Sequence, residues 1–113
     1  MMARIICIPV TVSGEVEPRW GKAPRVALAT VEGHQIADWT EEDVHWDTLH
    51  DEGGEGKHHA RIARFLMDHH VTDVAANHMG PGMERMLGSM RLKVYLGVEG
   101  NARAVVERLA KEA

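Results

Sequence analysis

Val74-Ala75-Ala76-Asn77-His78-Met79-Gly80-Pro81-Gly82-Met83 is an apolar run that halts at two polar residues, passes through a Gly-Pro-Gly turn and restarts. Residues 71–76 read as a buried strand, and Met83, Met86, Leu87 and Met90 recur at helical spacing. Proline suits the first helical position because its missing N–H would be unpaired there, and the flanking glycines open backbone conformations closed to other residues. The turn therefore ends at a helix N-terminus, whose free N–H groups and positive dipole end favour an anion, with His78 held beside it. Ligands of open α/β sheets bind beyond the carboxyl ends of strands, so the place of this turn matters as much as its chemistry. Strand–Gly–helix turns also serve as plain joints, so the rest of the chain has to supply the other half of any site.

Upstream, residues 4–11 are continuously apolar and β-branched, as in a central strand covered on both faces. Residues 12–24 form a loop marked by Ser13-Gly14, Pro18, Gly21 and Pro24, and this loop displays Arg19, Trp20 and Lys22. Two strand-like runs, 25–31 and 35–39, flank a Glu32-Gly33-His34 hairpin signal. Residues 40–57 lack periodicity, are rich in Asp and Glu and contain three glycines, which predicts a long loop, mobile without ligand, of the kind that is either functional or disordered. A helix follows over 58–70 with Ile62, Phe65, Leu66 and His69 on one face. Downstream of the opening stretch, 92–96 is a strand, and Asn101 caps a final helix with Ala102, Val105, Val106 and Leu109 as its stripe.

The expected fold is one α/β domain over residues 1–113: a mixed five-stranded sheet with three helices in the order β-β-β-α-β-α-β-α. Right-handed crossovers make the fourth strand parallel to the first and the fifth parallel to the fourth. The loop of Arg19, Trp20 and Lys22 then lies beside His78 and Gly80-Pro81, and the helix start at His58 and His59 borders the same cleft.

Composition narrows the function. The net charge of −4, with a pI near 6.0 and no basic run, argues against nucleic acid as a partner. No segment approaches membrane-spanning length, and the opening apolar run is too short for a signal peptide, so a cytoplasmic monomer or weak dimer is expected. The single cysteine, Cys7, sits in an apolar run as a buried thiol, which removes disulfides and Cys-rich metal sites. The anomaly is histidine: of 8, all but His34 (His45, His50, His58, His59, His69, His70 and His78) crowd one third of the chain. Imidazole is both the commonest metal ligand and a group that titrates near neutrality.

Four segments together resemble the dinitrogenase iron–molybdenum cofactor biosynthesis family of nitrogenase accessory and orange-protein-like domains. They are Ile8-Pro9-Val10-Thr11, Pro18-Arg19-Trp20-Gly21-Lys22-Ala23-Pro24, Met79-Gly80-Pro81-Gly82 and Val94-Tyr95-Leu96-Gly97, and the likeness spans nearly the whole chain. The resemblance implies a ribonuclease H-like fold that carries a preformed, molybdenum-containing metal–sulfur cluster, of iron–molybdenum or molybdenum–copper type, without hydrolysis. It also implies a cluster donor or acceptor protein as partner. The chain departs from the family at Asn77-His78, where small residues are frequent, and in its expanded acidic, His-rich loop.

A metal–sulfide cluster is anionic and soft, so its host needs one or two terminal ligands plus donors and cations. The candidate metal ligands are His78, His58 and His59, with His45 and His50 arriving on the loop. Adjacent His58 and His59 diverge by roughly 100° on a helix, which favours His58 for the cleft. Arg19 and Lys22 are candidates for neutralising charge, Trp20 for covering the ligand, and Met79, Gly80 and Gly82 for contacts from the turn. His69 and His70 read as helix-end caps, and the methionine stripe as core. The alternative is a histidine-based divalent site, Zn or Cu at the loop, in a metal-binding module or a hydrolase using His45, Asp47, His50 and His58. Such a hydrolase needs three ligands and an open position, and no His pair has the required helical spacing. A carrier is favoured over an enzyme.

Overall fold

A computed structural model of the chain describes residues 3–112; Met1, Met2 and Ala113, at the ends of the expected domain, lie outside the described residues. The elements are β1 (Arg4–Pro9), β2 (Arg25–Glu32), β3 (Gln35–Asp43), α1 (Trp46–Leu49), α2 (Gly54–Asp68), β4 (Asp73–Ala75), α3 (Pro81–Ser89), β5 (Lys93–Tyr95) and α4 (Ala102–Ala110). They build one five-stranded sheet in the order β3-β2-β1-β4-β5. β2 runs antiparallel to both β1 and β3, whereas β4 is parallel to β1 (Ile6 opposite Asp73, Cys7 opposite Val74) and to β5. The sheet is therefore mixed, with β1 at its centre.

The apolar run of β1 is buried on both faces because alternate side chains of a strand point to opposite sides. Ile6 and Ile8 meet Val105, Val106 and Leu109 of α4, while Cys7 joins Ile62 and Leu66 of α2 and Met83 and Leu87 of α3. The result is three layers, α4 on one side and α1, α2 and α3 on the other. Burial pushes the Cys7 thiol far above its usual range, so it is an inert core group. Asn101 caps α4 as expected, its side chain accepting from the Ala104 N–H at 2.8 Å. Among the described residues no helix is long and apolar enough to cross a membrane.

Three expectations are corrected. There are four helices rather than three, giving the order β-β-β-α-α-β-α-β-α, and residues 40–57 are largely structured. β3 runs on to Asp43 because Arg25 on the neighbouring strand pairs with Glu41 and Asp43, both at 3.0 Å, so the acidic run is a cross-strand charge ladder. α1 forms because Trp46 is buried between Trp20 and Phe65, with edge-on ring centroids 5.2 and 5.7 Å apart. Neither cause is local, so neither shows as a periodicity. α2 also begins four residues early, at Gly54, after Gly53 adopts a left-handed φ of 81°.

Candidate functional site

The carboxyl ends of the parallel strands β1 and β4 meet one cavity, of about 600 Å³. Its walls come from three places. The loop after β1 contributes Trp20 and Gly21; the end of α1 and the start of α2 contribute His50, Asp51, Glu55, His58 and His59; the turn after β4 and the start of α3 contribute Met79 to Met83 and Arg85. The loop after β1 is brought here by a parallel bridge between Arg19 and His78, so the two segments singled out in the sequence are neighbours.

The turn behaves as its residues dictate. Gly80 is extended (φ −71°, ψ 160°), Pro81 opens α3, and the Gly80 carbonyl accepts the first helical bond from Glu84 N–H at 3.1 Å. Among the described residues the Gly82 and Met83 N–H groups have no partner, as expected for a first helical turn without a capping side chain. A Cβ at Gly82 would lie 3.4 Å from His59 Cε1 and 3.6 Å from Glu55 Oε1, so glycine leaves the cavity open where α2 and α3 face each other.

The histidines divide into three groups. His58 is buried, and both ring nitrogens are engaged: Nε2–H donates to the Gly21 carbonyl at 2.7 Å and Nδ1 accepts from Arg61 Nη1 at 2.8 Å. Burial pushes its pKa below the ordinary value, the Gly21 bond acts against that, and the Arg61 charge adds to it. The ring is thus a neutral pin between α2 and the Trp20 loop. His50 and His59 line the cavity; His50 Nδ1 lies 3.1 Å from Asp51 and His59 Nε2 lies 3.7 Å from Glu55. His45 and His78 are exposed and outside the lining, His45 at the start of α1 with a left-handed φ of 55°.

The cations are distributed differently from the sequence expectation. Arg19, bridged to His78, pairs with Glu17 at 2.7 Å, and both Arg19 and Lys22 are exposed and outside the lining. The cavity's cation is Arg85, a residue that sequence reasoning passed over. The signal was available: Arg85 falls one helical turn after Pro81, on the face that the turn presents. Met79 and Met83 add buried thioethers, and Trp20 packs its ring into the wall with its Nε1–H unpartnered. Among the described residues no group of three His, Cys, Asp or Glu side chains is placed to hold a metal ion. The arrangement offers N–H donors, one guanidinium, two imidazoles, soft sulfur and the carboxylates of Asp51 and Glu55.

Fold and cavity together define a small α/β domain with one cavity at the strand ends. The chain belongs to the dinitrogenase iron–molybdenum cofactor family, whose profile matches residues 2–112. Membership ties it to binding that cofactor or to an accessory role in its handling. Solved structures share the fold. The apo form of the orange protein from Desulfovibrio gigas superposes with a TM-score of 0.73 at 20% identity, covering 96% of this chain and 88% of that one. A Thermotoga protein provisionally assigned as NifB gives 0.72 at 18% identity, over 98% and 90% of the two chains. A Methanocaldococcus jannaschii protein provisionally assigned as a dinitrogenase gives 0.69 at 10% identity, over 98% and 91%. No curated protein matches the chain.

Proposed function

We propose that this protein is a cytoplasmic carrier or assembly accessory that holds a preformed, molybdenum-containing metal–sulfur cluster as cargo in the cavity at the ends of β1 and β4, and passes it to a partner protein. The observation that carries this reading is the donor set. The free amides of α3, the Arg85 guanidinium, His50, His59 and the buried thioethers surround one space, with Asp51 and Glu55 beside the two imidazoles. Donors and a cation neutralise the sulfides of a soft anion, and one or two terminal ligands suffice to seat it. His59 and His50 are the proposed terminal ligands, with Met79 sulfur beside them. His58 holds the wall, and His78 and His45 stand outside the lining. The strand order, with three antiparallel strands continued by two parallel ones, supports reading the fold as ribonuclease H-like.

The test is an anaerobic titration with tetrathiomolybdate, alone and with Cu(I) or iron, followed by visible absorption. Saturable charge-transfer bands are expected, weakened in His59→Ala and little changed in His45→Ala. Absence of saturable bands in a protein that still binds Zn²⁺ overturns the reading and returns the site to a plain histidine–metal centre.

A further inference from the structure

Trp20 has a feature that packing does not explain. It is 1% exposed, wedged edge-on against Trp46, and its Nε1 is the one buried side-chain nitrogen or oxygen without a hydrogen-bond partner among the described residues. A buried N–H left unpaired costs about 1–3 kcal/mol, and native proteins pair nearly all such groups. Trp39, by contrast, donates its Nε1–H to Glu41 at 3.1 Å. The Trp20 loop is held without the indole nitrogen, through Ala23 N–H to the Trp20 carbonyl at 3.3 Å and through His58 to Gly21. A purely apolar ring would supply the wall without an unpaired donor, so the nitrogen itself is not explained by the packing.

Trp20 also lines the cavity into which α3 turns its first residues, and the N–H groups of Gly82 and Met83 are likewise without protein partners among the described residues. We infer that the Trp20 Nε1–H is a ligand donor to a terminal sulfide or oxo atom of the bound anion, whose other outer atoms take the α3 amides. This rests on the cavity being the cargo site. It adds that the ligand carries acceptor atoms on its surface, so recognition acts on its terminal sulfides or oxo groups as well as on its metal. The unliganded protein holds the donor unpaired, and binding the anion recovers that energy.

The experiment uses the full chain labelled with ¹⁵N, in which the 3 tryptophans give separate indole signals. Tetrathiomolybdate is added anaerobically, and the Trp20 signal is assigned with Trp20→Phe or, should that variant not fold, by its nuclear Overhauser contacts to Trp46. The Trp20 indole proton is expected to move downfield and exchange more slowly on binding, while the Trp39 signal stays in place. Trp20→Phe is expected to bind about tenfold more weakly, a loss beyond that of Trp46→Phe, which opens a comparable void without removing the donor. A wild-type protein that binds with its Trp20 proton unmoved, or with that proton already shifted upfield against the Trp46 ring, overturns the inference and leaves the cargo reading standing. Failure of the wild type to bind at all overturns both.

Discussion

His58 Nε2 sits 2.7 Å from the Gly21 carbonyl oxygen, a contact across 37 residues of sequence that fastens α2 to the loop carrying Trp20. Arg61 closes the arrangement from the other ring nitrogen and reaches the Leu49 carbonyl at 3.1 Å, so one histidine joins α1, α2 and the cavity wall. Replacing it by alanine strips both partners and opens a void in the wall. His58→Ala is expected to lower stability by about 2 kcal/mol, read by urea denaturation, and to weaken tetrathiomolybdate binding without removing a terminal ligand. A variant as stable as the parent would show that the wall stands without this pin.

The same ring makes stability depend on pH. Burial holds its pKa below the ordinary value, and protonation would place a proton on Nδ1, where Arg61 already donates. The unfolded chain takes up this proton below about pH 6.5 and the folded chain only at lower pH. The contribution of His58 is therefore complete above about pH 6.5 and is lost as pH falls through the depressed folded value. The urea midpoint should drop more steeply in the parent than in His58→Gln between about pH 7.5 and about pH 5.5. Parallel curves would assign the acid sensitivity to other groups.

Gly82 separates fold from function. Its φ is not left-handed and a methyl group there makes ordinary contacts, so Gly82→Ala should raise stability by about 0.5 kcal/mol in calorimetry. Gly82→Leu extends the side chain into the space between His59 and Glu55, and should cut tetrathiomolybdate affinity at least about tenfold by exclusion. A leucine variant that binds like the parent would put the cargo elsewhere.

At the opposite ends of the strands, Asp73 is buried and takes Arg4 Nη2 at 3.0 Å, the Tyr95 hydroxyl at 3.1 Å and the Thr72 hydroxyl at 2.6 Å. Burial and then the adjacent Asp73 charge push the Tyr95 phenol up, which keeps it a donor across the physiological range. Arg4→Met leaves a carboxylate inside the protein without its cation and should cost about 3 kcal/mol in thermal unfolding. Adding Asp73→Asn should recover part of that loss, because the buried charge goes with it. Additive losses in the double variant would mean that the two side chains act independently.

The sheet and its turn could be read early because they are written locally. β1 and the run Val74 to Ala76 are apolar on both faces, the hairpin carries its glycine, and Pro81 marks a helix start in any context. α1 could not be read so: four residues are too few to show a period, and Trp46 needs Trp20 and Phe65, from distant parts of the chain, to be worth burying. The acidic run at Glu41 and Asp43 reads as loop in the sequence because its partner, Arg25, lies on the neighbouring strand.

The candidate site shows the same division. Residue type and spacing determined that histidines, a Gly-Pro-Gly helix start and an aromatic–basic loop would gather at the ends of parallel strands, since strand direction and right-handed crossovers leave those loops nowhere else to meet. Tertiary structure alone decided what each group does there. Whether an imidazole is a pin or a free ligand, whether a guanidinium faces a cavity or a glutamate, and whether an indole N–H finds a partner depend on distances of a few ångströms between segments far apart in sequence. Such distances are set by packing. His58 is engaged by Gly21 and Arg61, Arg19 by Glu17, and the cavity is left to His50, His59, Arg85 and the unpaired nitrogen of Trp20.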